Sequence, residues 1–144
     1  FQKATELGVS NIIPLISERT EVKDLNYERA KKIVIEATEQ SNQLIPPAIS
    51  KVTKLKNFLE SLDQSTKLLF ADINSKNNLD IKDFKEVKSL CVLIGPEGDF
   101  TPKERETILS KTNTIPFSLS NNILRADTAT ISAISLINFV LSDH

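Results

Sequence analysis

The sequence predicts an α/β domain with a mainly parallel sheet flanked by helices, and three observations lead there. Apolar runs of strand length, such as Ser89-Leu90-Cys91-Val92-Leu93-Ile94, lack polar alternation, the pattern of strands buried on both faces. These runs alternate along the chain with segments of helical periodicity. Between one such strand and a strongly signalled helix lies Gly95-Pro96-Glu97-Gly98-Asp99-Phe100. A glycine-bearing connection of this kind is where open α/β sheets receive ligands.

The elements follow in order. Phe1 to Leu7 reads as a short helix stopped by Gly8. Val9 to Ile16, with Ile12, Ile13, Leu15 and Ile16, reads as a buried strand that leaves through the polar loop Ser17-Glu18-Arg19-Thr20. Arg19 is a candidate substrate-facing cation, although a solvated loop arginine is the more frequent case. Asn26 caps a helix from Tyr27 to Ser41 whose apolar stripe is Ala30, Ile33, Val34 and Ala37. Its end is polar, with Glu36 and Gln40 four residues apart on one face. By itself, that face reads as wetted.

Pro46-Pro47 closes the region, Ala48-Ile49 is a brief extended piece, and Lys54 to Leu62 reads as a short helix. Lys67-Leu68-Leu69-Phe70-Ala71-Asp72 is the next strand, followed by a polar loop over Asn74 to Asn78 and an ambiguous, charged stretch over residues 79–88. Beyond the glycine loop, Thr101 is a helix cap, Pro102 occupies the first helical position, and Glu104 completes a capping box. That helix runs to about Lys111. Thr114 to Leu119 is the last strand, where Pro116 predicts an edge or strand-end position. From Thr128 to Leu141 the pattern is apolar around much of a helix, which requires burial on more than one side, in a core or against a second subunit.

Composition bounds the function. With 144 residues and 40% hydrophobic content, one domain with a full core is expected. The net charge of −1 lacks the basic excess of a typical nucleic-acid binder, so any RNA contact is local or supplied elsewhere. The single cysteine, Cys91, lies in an apolar strand and reads as an inert buried thiol. One cysteine and one histidine, the terminal His144, argue against a metal site. No run reaches membrane-spanning length and no signal peptide is present, so a cytoplasmic location is expected. A start at Phe1 and the lack of methionine predict a fragment. The central loop has neither phosphate-loop spacing, and Glu97 would repel a phosphate. From the loop alone, a ligand site and a plain tight connection are equally good readings.

Four stretches taken together resemble one family. They are Lys3-Ala4-Thr5-Glu6-Leu7-Gly8-Val9 with Pro14 and Glu18-Arg19; Glu36-Ala37 with Glu39-Gln40-Ser41 and Pro47; Ile94-Gly95-Pro96-Glu97-Gly98 with Glu104; and Leu119 with Ile123-Leu124-Arg125 and Thr128-Ala129. In this order they are similar to the RsmE family, SPOUT-class methyltransferases that act on N3 of a uridine in small-subunit ribosomal RNA. The resemblance implies an α/β sheet whose carboxy-terminal part makes a deep trefoil knot, a fold that pattern alone would never suggest. It implies S-adenosylmethionine bound in the knotted loops, a homodimer, and 16S ribosomal RNA or the small ribosomal subunit as partner, with no membrane and no metal. Residues 1–144 would be the catalytic domain, without the family's amino-terminal PUA-like RNA-binding domain.

Carried onto this chain, the cofactor residues would be Gly95, Pro96, Glu97 and Gly98, with Leu119, Ser120, Ile123 and Leu124, and a third wall following Leu69 and Phe70. Arg125 would be the catalytic residue, stabilising charge on the uracil carbonyls or holding a phosphate; the alternative is a structural arginine tying the knot to the dimer. Arg19, Glu36, Gln40 and Arg125 would face the RNA. Glu36, Glu97 and Asp127 are candidates for the general base, with none singled out. The chain departs from the family at Gln43 and Asn122, where arginines are usual, at Asp99 and Ser120, where glycines are usual, and at Asp127, where glutamate is usual. These departures keep open a lapsed RNA-binding or scaffold domain. A related ribose 2′-hydroxyl methyltransferase is the other alternative.

Overall fold

At the centre of the structure, a computed structural model, lies the strand Thr66–Ala71, flanked on both sides by parallel partners. The structure describes residues 1, 5–19, 26–72, 89–96, 99–118, 131, 133–135, 137 and 138. In chain order the elements are β1 (Asn11–Ile12), β2 (Leu15–Ile16), α1 (Tyr27–Gln40), β3 (Ala48–Ile49), β4 (Thr53–Lys54), α2 (Leu55–Ser61), β5 (Thr66–Ala71), β6 (Ser89–Leu93), α3 (Pro102–Leu109) and β7 (Thr114–Phe117). Among the described residues every strand pairing is parallel, as the apolar runs predict.

The three-stranded sheet has the order β6-β5-β7, with Phe70 opposite Leu93 on one side and Ala71 opposite Phe117 on the other. Successive β5 side chains point to opposite faces, so the strand feeds two cores. Leu68 and Phe70 pack with Leu93, Phe100, Ile108 of α3 and Leu55, Phe58 and Leu59 of α2. Leu69 packs on the other face with Phe117, Ala133 and Ile137. Pro116 lies on β7, which pairs only with β5 among the described residues; a missing N–H costs nothing on the open side of such a strand. Residues 131, 133–135, 137 and 138 are helical, and Ala133, Ile134 and Ile137 are buried.

One expected element is different. The run from Val9 to Ile16 is not a single buried strand but two short ones, β1 paired with β3 and β2 paired with β4. The reason is Pro14, which has no N–H for a ladder and separates the two pairings. Its carbonyl still accepts from the Thr53 N–H at 3.1 Å, so the pairing shifts from one short strand to the next. The side chains of Ile12, Leu15 and Ile16 are half-buried rather than buried. Among the described residues, the helices Tyr27–Gln40, Leu55–Ser61 and Pro102–Leu109 and the strands Thr66–Ala71, Ser89–Leu93 and Thr114–Phe117 stand within a residue or two of expectation, while the bounds of the expected first and last helices lie outside them. Asn26 caps α1 through the Arg29 N–H, and Gly8, at φ 86, ends the first helical turn. The expected loop over Asn74 to Asn78, residues 79–88, the extension of the last strand to Leu119, and the knot lie outside the described residues.

Candidate active site

The site begins where the three parallel strands end. β6, β5 and β7 run the same way, so the segments after Leu93, Ala71 and Phe117 leave from one edge of the sheet. This is the edge at which parallel sheets bind ligands.

The connection after β6 is folded tightly on itself. Asp99 donates its N–H to the Pro96 carbonyl at 2.8 Å. A Cβ on Gly95 would stand 3.2 Å from Asp99 Oδ1 and 3.3 Å from the Phe100 ring, so a larger residue would require these side chains to give by a few tenths of an ångström. Asp99 itself has φ 61, the left-handed region where glycine is usual and aspartate is one of the few tolerated side chains. Its carboxylate accepts from the Phe100 N–H at 2.8 Å. The departure at Asp99 therefore preserves the backbone path that a glycine would take. Phe100 then anchors the loop against Phe70, with ring centroids 5.9 Å apart.

The start of α3 is fixed by the expected capping box: Thr101 Oγ1 accepts from the Glu104 N–H at 3.2 Å, and Glu104 Oε1 accepts from the Thr101 N–H at 3.0 Å. The second carboxylate oxygen of Glu104 reaches elsewhere. It accepts from the Glu18 N–H at 3.1 Å, joining the turn after β2 to the start of α3. One residue further along that turn is Arg19, which is exposed.

A second tie runs along the same edge. Asp72, just past β5, is buried and donates its N–H to the Phe117 carbonyl at 2.9 Å. Its carboxylate receives Arg105 of α3 through Nη2 at 2.8 Å and Nε at 3.2 Å. The hydrogen bond to Asp72 pushes the Arg105 guanidinium up from its ordinary value. Neither this pair nor the second contact of Glu104 was legible in the sequence. An acidic residue ending a buried strand was the available signal, and nothing in the pattern named its partner.

The expected site residues divide as follows. Gly95 and Pro96 sit half-buried beyond β6, next to the end of β5 that carries Leu69 and Phe70. The Leu69 and Phe70 side chains belong to the two cores. Glu36 and Gln40 are exposed near the end of α1, and among the described residues neither shares a hydrogen bond with the sheet edge. Gln43 donates Nε2 to the Thr5 and Glu6 carbonyls at 2.7 and 3.2 Å, holding the end of the first helical turn. Asn138 donates to the neighbouring Leu7 carbonyl at 3.3 Å. Glu97, Gly98, Leu119, Ser120, Asn122, Ile123, Leu124, Arg125 and Asp127 lie outside the described residues. Among those described, no cluster of three or more His, Cys, Asp or Glu could hold a metal, and no helix is long and apolar enough to cross a membrane.

The family described as RNA methyltransferase domain matches residues 1–138. The chain belongs to this RNA methyltransferase family. It is 40% identical over 144 residues to the ribosomal RNA small subunit methyltransferase E of Rickettsia conorii, covering 98% of this chain and 58% of that protein. The protein of the same name from Aquifex aeolicus is 35% identical over 146 residues, covering 96% of this chain and 61% of the relative. Among solved structures, the ribosomal RNA small subunit methyltransferase E of Neisseria gonorrhoeae bound to S-adenosyl methionine superposes with a TM-score of 0.86 at 30% identity, over 96% of this chain and 58% of that one. The chain thus spans about three fifths of the length of these RNA methyltransferases.

Proposed function

We propose that this RNA methyltransferase chain is the catalytic domain of an enzyme that methylates N3 of a uridine in 16S ribosomal RNA, using S-adenosylmethionine. The observation that carries the reading is the convergence of three parallel strand ends at one edge, with the close-packed Gly95–Pro96 loop leaving from β6 beside the central strand. The likeness to a structure bound to S-adenosyl methionine supports that cofactor. The reading includes the carboxy-terminal trefoil knot, a homodimer formed beside it, and a cytoplasmic location.

The residues at this edge fit such a cofactor. Glycine backbone at Gly95 offers N–H and C=O groups at close range, and Ile94 and Pro96 supply apolar surface for a purine. Arg105, the cation on α3 facing the end of β5, is neutralised by Asp72, so it adds little repulsion toward a sulfonium. Gly95, Pro96, Glu97 and Gly98 would hold the cofactor from one side, Leu119, Ser120, Ile123 and Leu124 from another, and the chain after Leu69 and Phe70 from the third. The cofactor supplies an electrophilic methyl group. Arg125 would stabilise the negative charge that develops on the uracil carbonyls as N3 loses its proton. Arg19, with Glu36 and Gln40, would face the RNA.

Two departures from the family pattern are accommodated by the fold and so do not count against the enzyme. Asp99 keeps the left-handed turn, and Gln43 supplies donors to the helix end. Calorimetric titration with S-adenosylmethionine, followed by mapping of the methylated atom in small-subunit RNA, tests the reading. Binding and methyl transfer to uridine N3 are expected. Transfer to a ribose 2′-hydroxyl would replace the target. A folded chain without affinity for the cofactor would overturn the reading in favour of the scaffold.

A further inference from the structure

Glu104 does two things with one carboxylate. Oε1 completes the cap of α3, and Oε2 holds the Glu18 N–H at 3.1 Å, across 86 residues of sequence. The cap alone does not require a carboxylate, because glutamine serves equally well at this position of a capping box. Only the second bond needs the second acceptor oxygen. That bond places the Glu18–Arg19 turn against the start of the helix that leaves the Gly95–Pro96 loop. Ser17, just before the turn, is buried, so the turn leaves from an anchored residue.

We propose that Glu104 is a positioning residue that fixes Arg19 relative to the methyl donor. The inference rests on the methyltransferase reading above and adds a specificity role to it. A chain of net charge −1 has little general attraction for RNA, so a phosphate contact depends on individual, well-placed cations. An arginine whose preceding backbone is held loses less freedom on meeting a phosphate than one on a loose loop. Glu104 thus couples the RNA-facing turn to the cofactor loop: the backbone of one is held by the side chain that caps the helix following the other.

The test uses the full chain and four forms: wild type, E104Q, R19A and the double variant. E104Q retains one oxygen for the α3 cap and turns an amide NH2, a donor, toward the Glu18 N–H. The expected result for E104Q is a rise in KM for small-subunit RNA of about tenfold, the scale of one hydrogen bond to a charged group. Its kcat and its affinity for S-adenosylmethionine should change by less than about twofold, since the cap persists. R19A should raise KM by a similar factor. The double variant should be no worse than R19A alone, because both changes remove the same positioned cation. Additive losses, an unchanged KM in E104Q, or a fall in cofactor affinity and melting temperature that matches the fall in activity would each overturn the inference. A wild-type chain that binds S-adenosylmethionine but methylates no small-subunit RNA overturns the proposed function itself, an outcome distinct from methylation that is indifferent to Glu104.

Discussion

The amino-terminal strand pairs and the three-stranded sheet use the same parallel pairing, but different forces hold them. In the sheet, Leu68, Leu69 and Phe117 are wholly buried and Phe70 nearly so, and the strands are stabilised by apolar surface withdrawn from water. β1 to β4 have two residues each and half-exposed side chains. Polar side chains secure their surroundings instead: Gln43 to the Thr5 and Glu6 carbonyls, the Tyr27 hydroxyl accepting from the Val52 N–H at 2.6 Å, and Glu104 to the Glu18 N–H. The difference separates two tasks. The edge that would hold the cofactor is built on the dry part, while the turn carrying Arg19 belongs to a part positioned by individual hydrogen bonds.

Phe70→Ala is the sharpest way to break this division and carries the largest expected effect. It removes a ring from the core shared by α2, α3 and β6, and should lower unfolding free energy by about 3–5 kcal/mol in denaturant titrations. Tyr27→Phe, which takes one acceptor from the strand-pair region, should cost only about 1 kcal/mol. Comparable losses from the two variants would show that the regions are not held differently.

The same contrast explains what the sequence could disclose. β5, β6 and α3 were legible because their signals are local: unbroken apolar runs, and Thr101, Pro102 and Glu104 at fixed offsets. The break at Pro14 was not anticipated, since the apolar residues around it match a continuous strand and the partners β3 and β4 lie far along the chain. The Asp72–Arg105 pair and the bond from Glu104 to Glu18 join residues 33 and 86 positions apart. No local window names these partners: Glu104 reads there only as a cap, and Glu18 takes part through its backbone N–H. Gly95 and Pro96 stood out as a loop, whereas their role as a cofactor site came from the resemblance and not from spacing. Leu119, Ser120, Ile123, Leu124 and Arg125, expected on the same grounds, lie outside the described residues.

Arg105→Ala sharpens the comparison at the boundary of the two regions. It leaves the Asp72 carboxylate, whose side chain is 3% exposed, without its guanidinium, while Arg105 itself keeps 33% of its side-chain surface in water. The expected loss is about 2 kcal/mol, less than a fully buried pair would forfeit. Asp72→Asn combined with Arg105→Ala should recover part of that loss in thermal unfolding, because an amide is cheaper to bury than a carboxylate that has lost its guanidinium. If the double variant is as unstable as Arg105→Ala alone, the cost lies in lost packing of the arginine stem.

The smallest effect concerns Cys91, and it asks whether β6 belongs wholly to the dry region. The thiol sits opposite Leu68 and packs against the same core as Phe70, and burial pushes its pKa above the ordinary value of 9.0. The folded chain therefore holds this proton more tightly than the unfolded chain does. Any stability linked to it is fully present below the unfolded pKa and is lost as pH rises through the raised folded value. At neutral pH the group contributes no pH dependence. Above about pH 9 the wild type should lose stability more steeply than Cys91→Ala, which has no proton to release. Alkylation by iodoacetamide in native buffer should likewise be far slower than for the unfolded chain, since the reactive thiolate is suppressed. Parallel stability curves for the two proteins across this range, with rapid native alkylation, would place Cys91 in water and move β6 toward the loosely held class of strands.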